Sequence, residues 1–227
     1  MSGQINFWGE GQIPYSWNPK DTKLLWSGFD HKHNVNPNWN QGEISYNYNS
    51  QGFRTCDMVG LYQQTVDLAL GCSCTEGIGL PVDQIWPSMI EQQTHLPMLN
   101  LGLGGGSTDT VARVLANVCS LYNINTVYIL WPLINRFENV LSDRIEVVLP
   151  QNAKLEHAWF LSEENSKQRF FKNQTLVKQL AKVHNFKIKE RSALDNWQIS
   201  GDLARDQQHY GILSHQNLAK MFLTHNE

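Results

Sequence analysis

Ser73 stands between Cys72 and Cys74 in the stretch ALGCSCTEGIGLP, directly after the apolar run Val66–Leu70. Serine alone is a poor nucleophile and needs a base to take its proton. A base is offered near the far end of the chain, in Asp206-Gln-Gln-His209. That spacing lets the carboxylate turn back on the imidazole and fix its tautomer, leaving the other ring nitrogen free for the serine proton. A third stretch, Gly102-Leu-Gly104-Gly105-Gly106-Ser107, is a turn of small residues. The N–H groups of Ser73 and Gly105 are placed to hold negative charge as it develops on a substrate oxygen. Taken alone, Asp-x-x-His reads as a helix cap on the surface. The three stretches in this order read as nucleophile, oxyanion donors and base.

Other chemistries fit the same residues less well. Cys72-x-Cys74 has neither zinc-knuckle spacing nor a second Cys/His pair close behind it, and it is not the Cys-x-x-Cys of a redox pair. As small apolar residues the two cysteines are fillers beside the serine. The competing reading makes one of them a reactive thiol, its pKa lowered by a helix N-terminus beyond the turn. GLGGGSTDT can bring amides to a small anion. It completes neither G-x-G-x-x-G nor a P-loop, because no Lys follows the glycines. Thr75 stands where the α/β-hydrolase elbow G-x-S-x-G needs its second Gly, which disfavours that fold.

These residues need elements to position them. Apolar strands are expected at Val66–Leu70, Pro97–Leu101 and Thr126–Leu130, with later strands at Ile145–Leu149, as part of an inserted hairpin, and at Phe186–Lys189. Helices are expected at Pro87–Thr94, Thr108–Tyr122, Glu163–His184 and Ser214–His225. In the third of these, Leu176, Val177, Leu180 and Val183 are expected to face inward. Strands alternating with helices imply a parallel sheet covered on both faces, with ligands at the carboxyl ends of the strands. The loops carrying Ser73, Gly105, the sequence Trp131–Arg136 and His209 all fall at that edge. Residues 1–60 are different. They are rich in Asn and hold four of the eight tryptophans, so we expect an irregular extension packed on a domain spanning 61–227. Within it Ile44–Arg54 alternates like a short strand before turning at Gly52. Trp26 and Trp39 either pack plainly or wall the cleft, where they would stack on a sugar.

The 227 residues, 41% apolar and 17% charged, suffice for one well-buried core. A net charge of −3 gives no general pull toward nucleic acid or anionic membrane. The basic residues from Lys167 to Arg191 read as a solvated helix face. No apolar run approaches the roughly 18 residues of a membrane span, and no signal-like start is present. A cytoplasmic protein with free thiols at Cys56, Cys72, Cys74 and Cys119 is the expectation. Without secretion, the acceptor sequence Asn173-Gln-Thr175 carries no meaning.

The chain resembles the SGNH (GDSL-type) hydrolase superfamily from about Ile44 onward. The resemblance rests on Gly71-Cys-Ser73-Cys-Thr75-Glu-Gly77-Ile-Gly79, on Asn100-Leu-Gly102-Leu-Gly104-Gly105, and on Asp206-x-x-His209 with Gly211 behind it. Asn49–Arg54 is similar to a segment that precedes the domain in bacterial and phage members. The resemblance implies a flavodoxin-like three-layer α/β/α sandwich with Ser73 as nucleophile and His209 as base, oriented by Asp206. It implies an oxyanion hole from the Ser73 amide, Gly105 and an Asn, and no cofactor or metal. The sequence departs from the family at Cys72, where an Asp is usual. It departs again after the third strand, where Trp131-Pro-Leu-Ile-Asn135-Arg136 replaces Gly-x-Asn-Asp. Either Asn135 supplies the third donor from a longer loop or Arg136 substitutes. His215 is a rival to His209 but lacks a carboxylate three residues upstream. The expected activity is a serine esterase or deacylase acting on a small-molecule or glycan ester, such as an O-acetyl group. The alternatives are a catalytically degenerate binding or structural protein and an acyltransferase.

Overall fold

The computed structural model describes residues 36–39, 44, 46–56, 58–62, 64–141 and 145–224. Trp8, Trp17, Trp26, His31 and His33 lie outside them. Four strands form one parallel sheet: β1 (Thr65–Leu70), β2 (Met98–Asn100), β3 (Asn123–Trp131) and β6 (Lys187–Ser192), in the order β2-β1-β3-β6. Between β3 and β6 lies a separate antiparallel hairpin, β4 (Phe137–Val140) paired with β5 (Ile145–Val148). The helices are α1 (Ser73–Glu76), α2 (Trp86–Thr94), α3 (Thr108–Val118), α4 (Glu163–His184) and α5 (Ile212–Thr224).

Alternation along the strands sorts two cores. Val66, Leu68 and Leu70 of β1 meet Val127 and Ile129 of β3, with Val111, Val114, Leu115 and Val118 of α3 and Val177 and Ala181 of α4. On the opposite face Ala69, Tyr128 and Leu130 meet Trp86 and Ile90 of α2 and Leu218, Ala219 and Phe222 of α5. The side-chain period of two in a strand dictates this division. The fold is therefore a three-layer α/β/α sandwich around a parallel sheet, as the strand–helix alternation implies. Strand order reverses at β1, so the loop after β1 sits where such sheets bind ligands.

One irregularity lies at the other end of β1. The β1–β3 register slips between Val66 and Leu68, which pair with Ile124 and Val127. The fully buried Asp67 fills this bulge: its Oδ1 accepts from the Thr126 amide (3.0 Å) and from Asn125 Nδ2 (2.9 Å). Burial pushes its carboxyl above the usual range, although those hydrogen bonds, one from Thr94 and the charge of Lys189 pull the other way.

Two sequence expectations need correction. Ile44–Arg54 forms no strand among its described residues. Asn49 instead folds the chain back, its Oδ1 accepting from the amides of Gln51 and Phe53, and Gly52 takes φ 82°. In α4, Val177 is buried and Leu180 partly so, but Val183 is 75% exposed and Leu176 43%. The inward stripe is narrower because Asn173 occupies one of its buried positions. Its Nδ2 donates to Thr108 Oγ1 (3.0 Å) and Asp109 Oδ1 (2.7 Å), tying α4 to the start of α3.

Candidate active site

Helix α1 begins at Ser73, immediately beyond β1. Gly71 lets this happen: a Cβ there would lie 2.1 Å from Thr75 Oγ1 and 2.8 Å from the Leu130 carbonyl oxygen. One turn later α1 stops at Gly77, in the left-handed region at φ 83°. Ser73 and Cys74 are partly exposed, whereas Cys72 and Glu76 are buried. Both thiols are free; a hydrogen bond from Cys74, with the Arg136 charge helping against burial, lowers the pKa of Cys72, and the same hydrogen bond together with burial raises that of Cys74.

The glycine turn after β2 packs on this helix. A Cβ on Gly102 would meet the Glu76 amide nitrogen at 2.4 Å and the Thr75 carbonyl carbon at 2.8 Å, backbone atoms that cannot give way. Asn100 locks the junction, donating to the Thr75 carbonyl (2.9 Å) and accepting from the Gly102 amide (3.1 Å). Gly106 N–H returns to the Leu103 carbonyl and Ser107 caps α3, so the turn is fixed at its far end. Gly105 sits at φ 75° with open space around its Cα. Among the described residues, the N–H groups of Ser73 and Gly105 donate to no protein acceptor.

Asp206 and His209 come together as their spacing predicts. His209 Nδ1 lies 2.5 Å from Asp206 Oδ2, and Asp206 Oδ1 accepts from the amides of Gln208 and His209. The Asp206 side chain is 2% exposed and that of His209 21%. Burial opposes the Asp206 charge, but the His209 contact and the two amides outweigh it and hold the carboxyl below its ordinary range. This loop docks on the turn that follows α1. Arg205 N–H donates to the Gly79 carbonyl (3.1 Å), and a Cβ on Gly79 would lie 3.0 Å from Asp206 Oδ1. Among the described residues, no hydrogen bond joins Ser73 Oγ to His209.

His215, the rival the sequence offered, stands in different surroundings. It is 1% exposed, and its Nδ1 accepts from the Trp86 amide at 3.1 Å. Burial above all, with the charges of His209 and Arg54, lowers it to about 3, so it remains a neutral packing residue.

After β3, Asn135 is exposed in the turn. The neighbouring Arg136 is the side chain that turns back to the glycine loop, with Nη1 3.5 Å from the Gly106 carbonyl. This turn is braced from behind. Arg169 donates to the carbonyls of Ile134 and Arg136, and Arg113 grips Glu138 at 2.7 and 2.8 Å while Thr110 donates to the same carboxylate.

Sequence reasoning missed a third group of residues. The Tyr48 hydroxyl donates to Glu76 Oε1 (2.6 Å), and Gly104 N–H donates to Glu76 Oε2 (2.6 Å). The Gly79 amide donates to the Tyr46 hydroxyl (2.8 Å). Arg54, 2% exposed, donates to the carbonyls of Glu76, Gly77 and Leu80, closing the end of α1. Tyr46-x-Tyr48 was the available signal: the alternation of Ile44–Arg54 places both tyrosines on one side without forming a strand. Trp39 packs with Leu80, Ile85 and Ala204, at the edge of this region.

No family model matches the chain, and no curated protein matches its sequence. Solved structures do match. A member of the lipolytic protein G-D-S-L family from Veillonella parvula is 11% identical, covering 70% of this chain and 97% of its own, with a TM-score of 0.36. A carbohydrate acetylesterase family member from Sinorhizobium meliloti is 12% identical, covering 68% and 94%, with a TM-score of 0.32. The acetyl xylan esterase AlAXEase is 14% identical, covering 68% and 70%, with a TM-score of 0.36. Among the described residues, no helix is long and apolar enough to cross a membrane.

Proposed function

We propose that the protein is a serine esterase or deacylase of the SGNH type that hydrolyses a small acyl ester through an acyl-serine. One observation carries this reading: the buried Asp206 carboxylate lies 2.5 Å from the partly exposed His209 imidazole, in a loop docked on the turn that follows the Ser73 helix at the switch point of the sheet. In the first half-reaction His209 Nε2 takes the Ser73 Oγ proton as Oγ bonds to the ester carbonyl carbon. The carbonyl oxygen becomes an oxyanion facing the free amides of Ser73 and Gly105. Collapse breaks the bond to the alcohol, which leaves with the proton from His209. Water then adds to the acyl-serine, giving its proton to His209, and collapse returns that proton to Ser73 Oγ as the acid departs. Asp206 keeps Nδ1 protonated throughout and stabilises the imidazolium. Asn135 faces solvent, so Arg136 is the better third group for the oxyanion. An O-acetyl group on a glycan is one substrate of this class.

A second reading has its own support. The lack of a Ser73–His209 hydrogen bond and the replacement of the Gly-x-Asn-Asp segment after β3 by a turn with Asn135 exposed favour a binding protein that has lost catalysis.

Turnover of p-nitrophenyl acetate by wild type, Ser73→Ala and His209→Ala, each with and without thiol blocking, decides between them. The esterase reading requires steady turnover that survives blocking and falls at least about 10³-fold in both variants. Should wild type neither turn over nor bind a fluorophosphonate at Ser73, the binding reading takes its place.

A further inference from the structure

Resting on the esterase reading, we infer that Glu76 is a positioning residue for the oxyanion hole, held in place by Tyr48. The two free amides lie on different segments, one opening a helix and one in a loop. The Ser73 amide is fixed by α1, but the Gly105 amide lies inside a run of three glycines, Gly104–Gly106, the backbone with the most conformational freedom to lose. A donor must already be aimed when charge develops if it is to lower the barrier. Glu76 supplies the missing constraint. It lies one helical turn beyond Ser73, and its Oε2 takes the Gly104 N–H, next in the chain to Gly105, at 2.6 Å. Its other oxygen is held by the Tyr48 hydroxyl at 2.6 Å, so the carboxylate cannot swing. Both oxygens are thus occupied in a side chain that is 3% exposed. The path from nucleophile to oxyanion donor is therefore Ser73, one turn of helix, the Glu76 carboxylate, Gly104 and Gly105. Arg54 braces the same turn through the carbonyls of Glu76, Gly77 and Leu80. Gln at position 76 preserves the geometry: its carbonyl accepts from Gly104, and its amide donates to the Tyr48 oxygen.

The test measures kcat and KM for p-nitrophenyl acetate, normalised to fluorophosphonate-labelled sites. It is paired with inhibition by 2,2,2-trifluoroacetophenone. Ser73 Oγ adds to that ketone carbon, the proton passes to His209, and the new alkoxide occupies the oxyanion hole. In Glu76→Ala we expect kcat to fall about 30- to 300-fold, KM to stay within about threefold, and the ketone's Ki to rise by the same factor as kcat falls. Glu76→Gln restores both to within about threefold of wild type. A Glu76→Ala protein that keeps wild-type kcat per labelled site and loses only thermal stability overturns the inference, leaving Glu76 a folding residue. If Glu76→Ala does not fold, Tyr48→Phe carries the test. A three- to tenfold fall in kcat with a matching rise in Ki supports the inference, and an unchanged kcat overturns it. A wild type without Ser73-dependent turnover removes the esterase reading and this inference with it, an outcome distinct from an active enzyme indifferent to position 76.

Discussion

Asp206 and Glu76 are both buried carboxylates beside the same short helix, yet their environments push them in opposite directions. Asp206 faces an imidazole that can carry a positive charge, and it sits below its ordinary pKa. Glu76 faces a phenol and a main-chain amide, and burial lifts it above its ordinary value despite those donors and the nearby charges of Arg54 and His209. The difference follows from what each partner can do. A neutral donor orients a carboxylate without compensating its desolvation, whereas a titrating partner shares in the movement of a proton. The first arrangement suits a strut and the second suits a relay. Asp67, in the β1 bulge, belongs with Glu76: it is buried, raised and held mainly by neutral groups.

Replacing each acid by its amide tests that division. The largest effect is expected at Asp206. Asp206→Asn should lower kcat by about 10³- to 10⁴-fold, because the amide favours the wrong imidazole tautomer; steady-state kinetics with an ester substrate gives the answer. Next is Gly102→Ala, which strikes the frame around Glu76. The added Cβ meets main-chain atoms of α1, and urea denaturation should report a loss of about 1–3 kcal/mol. Glu76→Gln should leave kcat within about threefold of wild type. A loss as large as that of Asp206→Asn would erase the distinction between strut and relay.

Asp67→Asn should leave kcat unchanged and raise Tm by about 2–4 °C at pH 8. Its pH dependence has a definite sign. A carboxyl raised in the fold contributes stability below its unfolded value, and that contribution is lost as pH rises through the folded one, so the gain from the amide shrinks toward pH 4. Asp206 behaves in reverse. Its contribution is present above the unfolded carboxylate value and is lost as pH falls through its lowered one. Thermal melts of wild type and Asp206→Asn should therefore converge in acid.

Local relations were legible in the sequence. The Asp206–His209 pairing spans three residues, so its spacing, read together with the serine and glycine stretches, points to it. The sheet was equally readable, since Val66–Leu70, apolar but for Asp67, and Thr126–Leu130, apolar after its first residue, are short runs flanked by helical periods. Glu76 was not, because its partners come from 28 residues upstream and 28 downstream, and neither the Tyr46-x-Tyr48 pattern nor the glycine turn points to an acid at position 76. Which of Asn135 and Arg136 turns inward depended on the phase of one turn, which the hairpin and Arg169 set from a distance. The exposure of Leu176 and Val183 was hidden for a similar reason. Asn173 spends a buried position of α4 on polar contacts with α3, and hydrophobic periodicity cannot see that.

Arg54 has a consequence for how this unit can be moved between proteins. Its guanidinium holds three carbonyls at the end of α1 from a position that, by composition, belongs to the irregular leading part of the chain. A graft cut at residue 61 would keep every strand and helix of the sheet yet leave those carbonyls and the Glu76 carboxylate without their clasp. The smallest transplantable unit is therefore set by the clasp rather than by the first strand, and it starts no later than Tyr46.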